Sequence, residues 1–281
     1  MSPPSHDFIF ERDQTPFLAL CRGSFGFLHT SPTRVEGVAV RQMSLAPLGT
    51  LHVPHGQVVI GDPFSRLKPE GNVRWNIPAG DHRVIQSMAR VGEDDRMSAL
   101  RTAYLSLVFD QQRVQQRQAW QRSQLAQGLN PSLDPSQLLA MGPCLPEGSF
   151  SEEETQRLLQ PIVPILTGAL AVADATLFED RMPLNRAEVG QGWLENLFEH
   201  GVEGSWFDQL DSEHPWPKGS SNHPLPPGNH GSDEANIVIC QTGWGDGQYE
   251  VFMELVDGQP AAMHIDFLVI PSDPMRRWRQ D

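Results

Sequence analysis

Residues 235–270 read ANIVICQTGWGDGQYEVFMELVDGQPAAMHIDFLVI. Three apolar, β-rich runs are separated by two turn signals, Gly243 to Gly247 and Asp257-Gly258, a pattern that predicts a three-stranded antiparallel meander. No other stretch carries so clear a structural signal, and the remainder of the chain is read outward from it.

Upstream the same vocabulary recurs. With 24 Gly and 24 Pro in 281 residues, the chain favours turns and short strands over long helices. Its 39% hydrophobic content suffices for a full core. Phe17, Phe25 and Phe27 around Gly23-Ser24 predict a hairpin, Val35 to Val40 a strand bounded by Gly37 and Pro47, and Val58, Val59 and Ile60 a buried strand ending at Gly61-Asp62-Pro63. The alternation of Val84, Gln86 and Met88 against Tyr104, Ser106 and Val108 predicts another hairpin. Helices are expected at 110–127, with Asp110 as N-cap, Gly128 as stop and Trp120 and Leu125 as anchors, at 151–160 behind the capping box Ser151/Glu154, and at 190–210.

An internal repeat emerges when the two halves are compared. Gly56 to Asp62 and Gly168 to Asp174 share the pattern glycine, aliphatic strand, aspartate. Gly80 to Val84 parallels Gly247 to Val251, and a hairpin follows each. The expected fold is therefore α+β and β-rich, with two similar antiparallel β units in one domain and helices at the periphery. A tail spans 1–14, the domain spans 15–270 with halves 15–127 and 151–270 joined by the Pro-rich connector 128–150, and a basic tail spans 271–281. On this reading Asp62 and Asp174 are equivalent strand-end carboxylates that face each other across a pseudo-twofold axis.

TGWGDGQYEVFMELVDGQPAAMHIDF resembles the C-terminal signature SGxGDGxYxVY, hairpin, DF of a bacterial family, domain of unknown function four-two-four-one. GQVVIGDPF, IPAGDHRV and ALAVADATLF are similar to its other blocks. Thr242 stands where the signature has serine, and the second aspartate block lacks the usual glycine. The resemblance spans about Val53 to Phe267; it implies the extent of the domain and assigns no reaction.

Candidate chemistry centres on Asp62, Asp174, Asp246 and Asp266, carboxylates at strand ends or turns. Convergence of two or three would bind Mg²⁺ or Ca²⁺ or supply a general acid and base, with Asp62 and Asp174 as the metal candidates. Against this stands ordinary turn capping, the commoner use of aspartate beside glycine or proline. The Gly243–Gly247 run lacks the following helix and the Lys or Ser/Thr of a phosphate loop. His200, His214, His223 and His230 are irregularly spaced and read as loop residues, and His82 and His264 as packed strand residues. There is no GxSxG elbow, and Cys21, Cys144 and Cys240 fit neither a disulfide framework nor paired zinc hooks.

A net charge of −14 disfavours nucleic acid and steers basic proteins inward. No run approaches the roughly 18 apolar residues of a membrane span, and MSPPSHDFIFERDQ lacks a basic start followed by an apolar core. These features predict a cytoplasmic bacterial protein without a membrane partner. Its expected function is that of a non-catalytic protein-binding module engaging a basic partner; an immunity-type protein neutralising a toxin is the concrete case, with Trp193, Trp206 and Trp216 as partner-binding anchors. No cofactor is expected. The alternative is a metal-dependent hydrolase using Asp62, Asp174 and Asp246 with a divalent cation; a structural subunit of a homo-oligomer is a third possibility, the oligomeric state being open.

Overall fold

The computed structural model describes residues 33–35, 38–63, 72–91, 100–127, 138–144, 161–181, 220–225 and 234–269. They form a β-rich α+β structure of antiparallel sheets with two helices. The predicted hairpin at 17–27, the helices at 151–160 and 190–210 and both tails lie outside the described residues. The chain divides into two compact units: the first takes residues 1–47, 84–140 and 249–281, the second 48–83 and 141–248.

The first unit is built on β1 (Thr33–Val35), β2 (Val38–Val53), β5 (Gly80–Val91), β6 (Leu100–Val108), β7 (Leu138–Ala140), β12 (Gly247–Val256) and β13 (Gln259–Asp266), in the order β1-β2-β5-β6-β13-β12-β7. The division between the units falls within β2, β5 and β12. Pro47 does not end a strand as expected, since β2 continues through it. Its neighbour β1 pairs only with Val38 to Val40, so near Pro47 no β1 ladder bond is lost by the missing N–H.

Side chains alternate along a strand, and the register pairs His264 with Ser106 and Asp266 with Tyr104. Thr102, Tyr104, Ser106, His264 and Asp266 therefore share one face, while Ala103, Leu105, Leu107, Met263 and Ile265 share the other, and all ten are buried. A polar face of an antiparallel sheet ordinarily meets water. Here it is covered by α1 (Gln111–Ala126), which packs on β13 with Val114 against Val108 and Ala262. Asp110 caps this helix as expected, accepting the Arg113 N–H at 3.0 Å. The expected anchor Trp120 is instead 41% exposed. The residues that face inward are Val114, Arg117 and Gln121, spaced i, i+3, i+7, so the helix docks chiefly through polar groups. The side chain of Leu125 lies outside the described residues.

In the second unit β10 (Ser221–Pro224), β11 (Asn236–Gln241), β9 (Ala169–Asp174), β3 (Gln57–Gly61) and β4 (Arg74–Asn76) form an antiparallel sheet in that order, and β8 (Ile162–Ile165) leads into β9. The run ALAVAD is buried at every position, as a strand with neighbours on both edges and both faces covered requires. Leu177 and Phe178 of α2 (Ala175–Arg181) pack with Val59, Ala171, Ala173, Ile237 and Ile239.

The predicted meander is only two-thirds right. β12 and β13 form a hairpin about Asp257-Gly258, Asp257 taking the left-handed φ of 53°. β11, however, does not pair with β12. Both its edges are occupied, one by β9 (Cys240 opposite Leu170) and the other by β10 (Val238 opposite Asn222). The Gly243–Gly247 segment therefore carries the chain from one sheet to the other. Thr242 fixes its start by donating its N–H to the Gly168 carbonyl at 2.9 Å and accepting the Gly245 N–H on Oγ1 at 3.1 Å.

Candidate functional site

Asp62 and Asp174 are both built into turns, and reciprocally. β3 opens after Gly56 (φ 68°) and is followed by Asp62; β9 opens after Gly168 (φ 70°) and ends in Asp174. Asp62 accepts the backbone N–H groups of Leu166 and Thr167 on Oδ2 at 2.7 and 2.8 Å and the Thr167 hydroxyl on Oδ1 at 2.9 Å. Those donors lie in the turn that opens β9. Asp174 accepts the His55 N–H on Oδ2 at 3.1 Å, in the turn that opens β3, while its Oδ1 caps α2 at the Leu177 N–H (3.0 Å) and lies 2.9 Å from His55 Nδ1. Each aspartate thus closes one strand and holds the entrance of its neighbour. The reciprocity concerns this one pair of strands and does not by itself make the two chain halves equivalent.

The same register separates the two carboxylates. Asp174 pairs with Val58 and Ala171 with Gly61, so Asp62 lies four residues along the ladder from the position opposite Asp174, about 13 Å at roughly 3.3 Å per residue. They do not converge. Asp246 is exposed in the Gly243–Gly247 segment. Asp266, fully buried in the first unit, accepts the N–H of Leu268, whose φ of 58° is left-handed. Among the described residues no group of three or more His, Cys, Asp or Glu is arranged to hold a metal ion. Trp193, Trp206, Trp216, His200, His214 and His230 lie outside the described residues. His82 is packed, with Nε2 2.7 Å from the Pro78 carbonyl, and burial lowers its pKa.

The most concentrated polar chemistry is elsewhere, on the covered face of the first unit. Glu254 of β12 takes a two-pronged bond from Arg117 of α1, Nε to Oε1 at 2.8 Å and Nη2 to Oε2 at 3.0 Å. Arg117 Nη1 also donates to Gln121 Oε1 at 2.8 Å. His264 Nε2 lies 2.8 Å from Glu254 Oε2, and its Nδ1 lies 2.8 Å from Ser106 Oγ. All five side chains are buried. Burial alone would raise the pKa of Glu254, but the Arg117 charge and the His264 bond outweigh it and hold the value at about 2. Burial lowers the pKa of His264, with Arg117 adding to the effect and Glu254 opposing it. The imidazole is therefore neutral at pH 7, and its partners fix the tautomer. Nε2–H donates to the carboxylate, which can only accept, and Nδ1 accepts the Ser106 hydroxyl proton.

This order of serine, histidine and acid is that of a nucleophile relay, but its setting is not. Ser106 is 3% exposed in mid-strand, where backbone N–H groups belong to the ladder and are not free to stabilise an oxyanion. What the arrangement accomplishes chemically is the burial of one carboxylate with its valences satisfied. Sequence reasoning placed His264 in a strand but missed Glu254 and Arg117. The only local signals are the recurrent polar positions Thr102, Tyr104 and Ser106 and the scarcity of apolar residues in α1.

Two further polar groupings belong to the second unit. His52 Nδ1 lies 2.7 Å from Asp81 Oδ1, and the His52 N–H donates to Asn236 Oδ1 at 2.9 Å, while both Asn222 and Asn236 donate to the Thr50 carbonyl. Along β3 and β4, Glu179, Arg74, Gln57, Asn76 and Cys144 form a continuous chain of polar contacts ending in Asn76 Nδ2 to Cys144 Sγ at 3.0 Å. No family model, curated protein or solved structure matches this chain.

Proposed function

We propose that the protein is a non-catalytic binding module that engages a basic protein partner, an immunity-type protein against a bacterial toxin being the concrete case, and that it belongs to the family whose signature its C-terminal blocks resemble. One observation carries the reading: three of the four carboxylates that the sequence marks out are spent on structure, and so is Glu254, which it does not mark out. Asp62, Asp174 and Asp266 are buried acceptors of backbone N–H groups, and Glu254 is neutralised by Arg117. The net charge of −14 accelerates encounter with a cationic protein and rejects polyanions.

The test is affinity capture with the full chain from its native lysate at low ionic strength, followed by elution in a salt gradient. A stoichiometric protein of basic pI released by salt is the expected result. Recovery of no such partner overturns the reading, as does divalent-metal-dependent hydrolysis by the purified chain that is lost in D62N or D174N.

A further inference from the structure

We draw no further inference here: the strongest candidate, the half-exposed imidazole of His55 in the turn between β2 and β3, held by buried Asp174 through Nδ1 and the backbone N–H, belongs to the turn clasp already described, and among the described residues no third metal-ligating group joins the pair to say what it would bind.

Discussion

Both units bury carboxylates on backbone N–H groups, Asp266 in the first and Asp62 and Asp174 in the second, but Glu254 of the first is met instead by a charged side chain. In the second unit Asp62 and Asp174 are held by backbone N–H groups, the Thr167 hydroxyl and the His55 imidazole. In the first, Glu254 is held by a guanidinium and a neutral imidazole on a face where a helix excludes water. The first device relies on chain geometry and is indifferent to a single side-chain deletion elsewhere. The second relies on a partner charge, so removing that partner leaves the carboxylate buried without compensation. A carboxylate clasped by turns is a joint, whereas one clasped by an arginine is a lock with a key.

Substitutions sharpen the contrast. R117A should have the largest effect, because it leaves Glu254 buried without its countercharge; a loss of about 3–5 kcal/mol in urea unfolding is expected. Replacing both partners, as in R117M/E254L, should recover most of that loss, and a double variant as unstable as R117A would show that the ion pair is not the source. In the second unit D62A strands the donors of Leu166 and Thr167, with an expected loss of about 1–3 kcal/mol by the same measurement. D174A removes the α2 cap and the hold on His55, for about 0.5–2 kcal/mol.

Acidification should also weaken the Glu254 network. His264 has a folded pKa below its ordinary 6.5 and Glu254 one below its ordinary 4.5. For both, the stabilisation is complete above the ordinary value and is lost as pH falls. His264 begins to withdraw its contribution below about 6.5, and Glu254 follows between 4.5 and about 2. Urea midpoints measured from pH 7 to pH 5 should therefore decline in the wild type and stay flatter in H264N; parallel curves would remove His264 as the cause. The smallest effect belongs to H55A. That side chain is 44% exposed, and its loss should change stability by no more than about 0.5 kcal/mol.

Legibility in the sequence followed the range of the interaction. The start of α1 was readable because Asp110 acts locally. The hairpin at Asp257-Gly258 was readable for the same reason. Whether β11 would pair with β12 could not be read from residues 235–270, because the answer depends on β9 and β10 having already taken both edges of β11. The repeated pattern of glycine, strand and aspartate pointed to Asp62 and Asp174 as related positions, but only the antiparallel register shows that they lie at opposite ends of the ladder. The Glu254 network was the least legible part. Alternating polar positions in β6 look the same whether water or a helix covers them, and Trp120 in α1 looks like an anchor until Arg117 and Gln121 are seen to face inward.

The aspartate clasps also bear on how the chain comes to be folded. Asp62 closes on a turn 104 residues further along, and the His55 turn waits for Asp174, 119 residues away. A nascent chain growing at about 5–20 residues per second emerges with β3 in place and its central partner roughly 5–20 s from being made. Such long-range pairings are slow to close, and an apolar strand waiting for its neighbour is exposed to the wrong one. The second unit is therefore assembled late, around a strand synthesised early, and its vulnerability to misassembly lies on the ribosome rather than in the finished molecule.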